Sequence, residues 1–220
     1  MAGMTVIELS HPIEAGMVTY PGLAVPKVKP YLTREESTKT YAPGTTFQIN
    51  KISLIGNTGT YVDSPAHRHE GAADLSALPL SRLADLPGRV IRIPKGVTGI
   101  DRSHFAGYDV GGVAVLVHTG WDRHFGTAKY APGEHPHLTR DAAEWLVDQD
   151  VALVGIDSVN IDGTATGTRP VHTTLLAAGV PVVEHLTGLA GLPEAGFRFH
   201  AAPPRIVDMV SFPVRAYAVT

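Results

Sequence analysis

The sequence predicts one α/β domain, and three observations support this prediction. The chain has 220 residues, which is long enough for a single domain with a sizeable core. Two continuous apolar runs, residues 113–117 and 151–156, have the length of strands in a sheet that is covered on both faces. Between them, residues 140–149 carry an amphipathic helical pattern that follows Thr139, a residue type favoured at the N-cap.

The composition excludes several classes of protein. The net charge of −3 provides no basic surface for nucleic acid. No apolar run reaches the roughly 18 residues that cross a bilayer, and the first residues lack the basic and apolar regions of a signal peptide. The chain has no cysteine, so disulfides, thiolate nucleophiles and sulfur ligands to a metal are excluded. A cytoplasmic protein that acts on a small molecule is expected.

Further strand and helix signals follow in order along the chain. Strands are predicted at residues 4–9, 47–55, 90–93, 180–183, 197–199 and 206–210, and a short helix at residues 173–178. Residues 30–46 are polar and rich in Thr, Glu, Lys and Pro. They are predicted to form a surface loop or arm.

The most informative stretch is residues 57–67, Asn-Thr-Gly-Thr-Tyr-Val-Asp-Ser-Pro-Ala-His. The positions of Tyr61, Asp63 and His67 differ by even numbers, so an extended backbone directs their side chains to one face. Asn57 has the same parity. The pattern predicts a polar row at the edge of a sheet, with Asp63 and His67 as its most reactive members.

This stretch resembles the signature of the cyclase family, which includes bacterial kynurenine formamidase and isatin hydrolase. The family pattern is His-x-Gly-Thr-His-x-Asp-x-Pro-x-His, and the retained positions are Gly59, Thr60, Asp63, Pro65 and His67. Asn57 and Tyr61 stand where the pattern has its first two histidines. A later segment, HTTLLAAGVPVVEHLTGL, is similar to the second family motif, in which a His and a Glu twelve residues apart join the metal centre; these are His172 and Glu184.

The resemblance covers nearly the whole chain and implies its architecture. It implies a single-domain swivelling β/β/α-type fold with a central mixed sheet over residues 1–220. It also implies a homo-oligomer, a dimer or a tetramer. The arm at residues 30–46 is a candidate exchange element between the copies.

The resemblance also implies a metal centre, with Asp63, His172 and Glu184 as ligands and His67 or Asn57 as additional donors. An amide oxygen is a weak, hard ligand, and a phenol with a pKa of about 10 is protonated at neutral pH. The substitutions at Asn57 and Tyr61 therefore remove two strong imidazole donors and leave an oxygen-rich set that tolerates Mn or Mg better than the family pattern does. The expectation is either one divalent ion, Zn, Mn or Mg, or a site without metal.

The same residues have expected roles in catalysis. His67 or Glu184 would act as general base, while Tyr61 and Asn57 would donate hydrogen bonds to a substrate carbonyl. The aromatic residues expected to form an apolar wall are Trp121, Tyr20 and Phe47. Structural roles are the alternative: a turn cap for Asp63, a satisfied loop histidine for His67, and ion pairs of Glu184 with Arg198 or Arg205.

Three functions remain open from the sequence. The resemblance implies a hydrolase that attacks the C–N amide or formamide bond, or the lactone bond, of a small carbonyl compound with an activated water. The first alternative is a metal-free cyclase or lyase of secondary metabolism. The second is a non-catalytic relative that binds a small molecule or a partner.

Overall fold

A computed structural model describes residues 3–131 and 133–220. Within these ranges the strands are β1 Val6–Glu8, β2 Lys27–Leu32, β3 Ile49–Ser53, β4 Tyr61–Asp63, β5 Leu86–Arg92, β6 Gly99–Ile100, β7 Ala114–His118, β8 His137–Leu138, β9 Leu153–Ile156, β10 Val182–Glu184, β11 Ala195–His200, β12 Ser211–Pro213 and β13 Tyr217–Val219. The α-helices are α1 Arg34–Ser37, α2 Arg140–Asp148 and α3 Pro170–Ala177. Short 3₁₀ turns span Pro65–His67, Leu80–Arg82, Arg102–Phe105, Trp121–His124, Ala128–Tyr130 and Leu189–Gly191. Among the described residues, no helix has both the length and the apolar character that a bilayer crossing requires.

Nine strands form one mixed sheet with the order β1-β13-β11-β5-β7-β9-β10-β4-β12. Its centre is parallel, since β5, β7, β9 and β10 run in the same direction. The outer pairs are antiparallel, including β10 with β4 and β4 with β12. The parallel centre explains the continuous apolar runs, because such strands are buried on both faces.

Two apolar layers cover the two faces of the sheet. Along β7, Leu116 packs into the layer that contains Phe199, whereas Val115 packs into the layer of the two longer helices. Leu146 of α2 and Leu175 of α3 belong to that second layer. Successive β7 residues therefore serve opposite faces, as strand geometry requires, and the predicted buried strand is confirmed.

The predicted arm is partly ordered. Strands β2 and β3 pair antiparallel as a separate two-stranded sheet, and α1 begins in the segment between them. The Thr33 hydroxyl accepts the N–H of Glu36, and the Glu36 carboxylate accepts the N–H of Thr33. This capping box starts a short helix within residues 30–46, so the predicted loop or arm contains one helical turn. The signal was present in the sequence as Thr-x-x-Glu.

The predicted strand at residues 206–210 is also wrong. The chain turns there, and Asp208 has a left-handed φ of 61°. The N–H of Asp208 donates to the Asp74 carboxylate at 2.6 Å. The strand begins later, at Ser211, because the sheet partner β4 pairs with residues 211–213.

Candidate active site and metal centre

The candidate site lies where the edge of the sheet meets α3. Strand β4 runs between β10 and β12, and the register places Tyr61 opposite Glu184 and Asp63 opposite Ser211. Tyr61 and Asp63 are two residues apart and share a face of the sheet. Helix α3 adds His172 to this face. Groups that are more than a hundred residues apart in sequence therefore meet in one place.

His172 is oriented by a carboxylate that the sequence analysis missed. Its Nδ1 lies 2.7 Å from Oδ2 of Asp162. The Asp162 carboxylate also accepts the N–H groups of Val171 and His172, at 2.7 and 2.9 Å, at the start of α3. With the Nδ1 proton directed at Asp162, Nε2 faces the site, which is the arrangement typical of metal-ligating histidines. The available signal was an Asp ten residues before His172, close to the predicted helix start.

Asp63 is fully buried, and only one of its two carboxylate oxygens accepts a hydrogen bond. Its Oδ1 accepts a hydrogen bond from the Ser211 hydroxyl, and that hydroxyl also lies 2.9 Å from Nδ1 of His67. Oδ2 has no hydrogen-bond partner within the described residues and lies 3.6 Å from Nε2 of His172. A buried carboxylate oxygen without a partner is costly, and a cation beside it would remove that cost.

Both carboxylate oxygens of Glu184 accept hydrogen bonds. Oε1 accepts the N–H of Ile161 at 2.6 Å, and Oε2 accepts from the Tyr61 hydroxyl, with the Tyr20 hydroxyl 3.3 Å away. Oε1 also lies 3.5 Å from Nε2 of His172. Glu184 therefore belongs to the cluster but is held from two sides by neutral donors.

The alternative ion pairs for Glu184 are not formed. Arg198 contacts the carboxylate of Asp85, and Arg205 donates to the carbonyl of Ser76 at 3.0 Å. Glu184 is consequently available to the buried cluster.

The buried charges change the pKa values of the cluster. Burial alone would lower the pKa of His172, but the charge of Glu184, the hydrogen bond to Asp162 and the charge of Asp63 outweigh it and raise this pKa. Burial raises the pKa of Glu184; the charge of His172 opposes this and that of Asp63 adds to it. A cation that binds Nε2 of His172 must displace its proton, so metal binding here is coupled to proton release.

Two tyrosines and a histidine extend the network behind Glu184. The Tyr20 hydroxyl lies 2.8 Å from that of Tyr61, 3.1 Å from Nε2 of His185, and 2.6 Å from the carbonyl oxygen of Val159. Burial, and next the charge of Glu184, raise the pKa of both tyrosines, so they remain protonated donors. Burial lowers the pKa of His185 to about 3, so its ring is neutral.

A cavity of about 300 Å³ opens onto this cluster. Its lining consists of Tyr20, Leu23, Asn57, Tyr61, His67, Arg68, Asn160, Arg169, His172 and Glu184. Five of these residues come from the predicted first and second motifs, and Tyr20 comes from the predicted wall. The site residues that sequence reasoning missed are Leu23, Arg68, Asn160 and Arg169 here, and Asp162 and Ser211 behind them.

Two predicted wall residues lie outside the cavity lining. The ring of Trp121 packs edge-on against His124, with centroids 5.0 Å apart. Phe47 packs against Tyr41 at the base of the arm, with centroids 4.6 Å apart. Neither ring lines this cavity, because the turn after β7 and the arm direct them elsewhere, and substrate contact by Trp121 and Phe47 stays a prediction.

Comparison with known proteins places this site in a family. The family model described as "Putative cyclase" matches residues 7–163. The chain belongs to the cyclase family. This match includes the first motif, with Asp63 and His67, and ends shortly after Asn160.

Relatives of this cyclase-family chain match over almost its full length. The kynurenine formamidase of Paracidovorax citrulli is 29% identical over 221 residues, covering 95% of this chain and 94% of the relative. That of Bacillus cereus is 24% identical, covering 96% and 95%. A solved structure described as a potential metal-dependent hydrolase with cyclase activity is 28% identical, with a TM-score of 0.79 over 99% of this chain and 98% of the other. Isatin hydrolase A from Labrenzia aggregata has a TM-score of 0.84 at 20% identity, covering 99% and 94%. The predicted α/β fold with a mixed sheet is confirmed.

The cyclase-family site of this chain fits one divalent cation. Asp63, His67 and His172 each offer one ligand atom, and these atoms lie within 4.8 Å of one another. Two observations support the fit: Oδ2 of Asp63 is buried without a partner, and Asp162 holds His172 with Nε2 toward it. Two imidazoles and one carboxylate form a donor set that binds first-row divalent metals.

Proposed function

We propose that this protein is a hydrolase that cleaves the C–N amide or formamide bond of a small carbonyl compound with an activated water. The observation that carries the proposal is the convergence of Asp63, His67 and His172 in one cluster, of which His67 and His172 line the cavity. The kynurenine formamidase relatives support the type of bond. Lactones are a second substrate class, because attack of the same water on the carbonyl carbon would open a lactone ring.

His67 is the residue best placed to move a proton. Its Nδ1 is anchored 2.9 Å from the Ser211 hydroxyl, and its side chain is 32% exposed, whereas that of Asp63 is fully buried. The second ring nitrogen, Nε2, is therefore free to exchange a proton with a group in the cavity. It would take a proton from the attacking water and return it to the leaving amine.

Asn57 and Tyr61 have different roles in this proposal. Asn57 lines the cavity, and its amide would donate a hydrogen bond to the carbonyl oxygen of the substrate, where negative charge develops. The Tyr61 hydroxyl is already donated to Glu184. Tyr61 is therefore a positioning residue for Glu184.

Asp63, His172 and Glu184 would hold the divalent ion, with Asn57 as an additional predicted donor, while His67 beside them would keep its second ring nitrogen for proton transfer. A bound ion would supply Lewis-acid polarisation of the carbonyl. Its identity among Zn, Mn and Mg stays a prediction.

The test combines metal analysis with turnover. Protein purified without chelator should carry about one equivalent of a divalent ion, as a site with three protein ligands does, and should hydrolyse formyl-anilines. Asp63→Ala should lose both properties, and Asp109→Ala, an exposed aspartate outside the cavity, should keep them. If no formyl-aniline or lactone is hydrolysed with Zn, Mn or Mg added, the hydrolase proposal fails and a small-molecule binder is favoured.

One observation favours the second candidate, a metal-free cyclase or lyase. The Tyr61 hydroxyl and the N–H of Ile161 donate to Glu184, which leaves a hydrogen-bonded acid facing the imidazole of His172. Such a pair can transfer protons without a metal. Full activity in metal-depleted protein would select this candidate.

We also propose that the chain forms a homodimer or tetramer through the arm. Five large apolar side chains are exposed on the arm and on the flanking strands β2 and β3, namely Val28, Tyr31, Tyr41, Ile49 and Ile52. Clustered exposed apolar groups of this kind are typical of interaction surfaces. A second copy of the chain is the proposed occupant.

A further inference from the structure

Two arginines line the mouth of the cavity, and both contact one threonine. Arg68 directly follows His67, and Arg169 directly precedes α3; both line the cavity. The hydroxyl of Thr173 accepts from Nε of Arg68 at 3.0 Å and donates to the carbonyl oxygen of Arg169 at 2.7 Å. The two residues are thus fixed to the same turn of helix.

Neither guanidinium is neutralised within the described part of the chain. Arg89, Arg198 and Arg215 each pair with a carboxylate, but no ion pair involves Arg68 or Arg169. Arg68 uses only Nε, for Thr173, so its two terminal nitrogens remain available.

The guanidinium of Arg169 also has N–H groups that form no hydrogen bond within the described residues. Its Nη1 donates to the carbonyl oxygens of Thr166 and Thr168, at 2.8 and 2.7 Å, with a longer contact to that of Gly163. These bonds hold the side chain in place through one nitrogen. The remaining N–H groups form the planar fork that matches a carboxylate.

The positive charge at the mouth comes from these side chains and not from the end of helix α3. The first N–H groups of α3 are already taken by the Asp162 carboxylate. The inner part of the cavity has the opposite character, since the buried carboxylate of Glu184 lines it and the buried Oδ2 of Asp63 lies 3.6 Å from Nε2 of the lining residue His172. A ligand with a negative group would therefore be oriented with that group outward and its neutral carbonyl toward His67.

We propose that Arg68 and Arg169 bind a carboxylate on the substrate, so that the preferred substrates are formamides or amides of acidic aromatic or aliphatic amines. The inference rests on the proposed hydrolase function for the class of bond that is cleaved. The cavity of about 300 Å³ suits a compound of about one ring, at the lower end of ligand sites. Binding two guanidiniums to one carboxylate gives the site both selectivity and a single substrate orientation.

The test measures binding separately from turnover, on the full chain. Calorimetry compares aniline with 2-, 3- and 4-aminobenzoate, which differ from it only by the carboxylate. At least one aminobenzoate should bind at least about tenfold more tightly than aniline, as charge-assisted hydrogen bonds predict. Added salt should weaken the binding of the aminobenzoate but not that of aniline. Hydrolysis of formanilide and of the three formamidobenzoates is followed in parallel.

The variants are Arg68→Gln, Arg169→Gln and the double variant. Each should remove the preference for the anion and leave aniline binding unchanged, and Arg68→Lys should restore part of that preference. Arg205→Gln is the matched control, since Arg205 is exposed and also donates through Nε to one neutral oxygen, but lies outside the cavity lining.

The outcomes separate this inference from the proposed function. Equal binding of aniline and all aminobenzoates, or equal loss of both in the variants, overturns the anion site, even if formanilide is hydrolysed. Arginine-dependent binding of an aminobenzoate without any hydrolysis supports the anion site and contradicts the hydrolase. A preference in kcat/KM for a formamidobenzoate that disappears in the variants supports both.

Discussion

The hydroxyl of Tyr61 donates a hydrogen bond to the carboxylate of Glu184 across the antiparallel pair β4 and β10. Both residues are buried, and Tyr20 approaches the same oxygen at 3.3 Å. The phenol therefore satisfies a carboxylate that would otherwise need another donor or a cation. This contact links the unusual residue of the first motif to the acid of the second motif.

Tyr61→Phe should destabilise the fold by about 1–3 kcal/mol, because a buried carboxylate loses a donor. The hydrogen bond from Tyr61 holds the pKa of Glu184 down against the effect of burial, so this pKa should rise further in the variant. Urea unfolding measures the stability change. Tyr217→Phe is the control, since its hydroxyl forms no hydrogen bond within the described residues and its ring stacks on His200. An equal effect of both substitutions would contradict the assigned role of the Tyr61 hydroxyl.

Replacing both Asn57 and Tyr61 by histidine should strengthen metal binding at least tenfold. Imidazole nitrogens are better donors to Zn or Mn than an amide or a protonated phenol, and both positions line the cavity. Competition with a chromophoric chelator gives the dissociation constant. An affinity equal to or weaker than that of the original protein would show that these two positions do not face the bound ion.

Asp162→Asn should weaken metal binding by about 10- to 100-fold, the usual effect of removing a carboxylate that orients a ligating histidine. The same change should lower the pKa of His172, because the hydrogen bond to Asp162 helps to raise it. Chelator competition and histidine NMR signals report these two effects. Asp74→Asn is the control, because Asp74 also accepts backbone N–H groups but at an exposed turn. Unchanged affinity in Asp162→Asn would rule out His172 as a ligand held by Asp162.

His185 should make the fold less stable in acid. Burial lowers its pKa from 6.5 to about 3, so below the unfolded pKa the unfolded chain takes up a proton that the folded chain does not, and stability falls as the pH falls. At about pH 5 this amounts to about 2 kcal/mol. His185→Asn should shrink the loss between about pH 7.5 and pH 5 in urea unfolding, and Asn tolerates the left-handed φ of 58° at this position. If the free energies of unfolding of the two proteins fall equally between about pH 7.5 and pH 5, His185 is not buried in its neutral form.

The arm proposal predicts that Tyr31→Asp combined with Ile52→Lys converts the oligomer to a monomer. Charges introduced on an apolar contact surface cost desolvation energy in the assembly but little in the free chain. Light scattering after size exclusion gives the mass. Val207→Lys, a substitution of an exposed apolar residue away from the arm, should keep the assembly. A monomeric original protein would refute the proposal directly.

Local patterns in the sequence were enough to predict several elements. The apolar run at residues 113–117 became β7, and the amphipathic run after Thr139 became α2. Even the missed helix α1 had a local signal, because its capping box lies within four residues. The strand predicted at residues 206–210 failed because strand position depends on the partner strand, which local composition does not specify.

For the site, the resemblance of two ordered motifs to the cyclase-family pattern predicted that Asp63, His67, His172 and Glu184 line one pocket, whereas their residue types alone left structural roles open. The structure alone shows that Asp162 orients His172 and that the Tyr61 hydroxyl donates to Glu184. It also shows that Trp121 and Phe47 lie outside the cavity lining, and that Arg68 and Arg169 both contact Thr173. Spacing along a chain determines periodicity and capping over a few residues. Contacts between groups a hundred residues apart depend on strand register and helix packing, which the whole fold decides together.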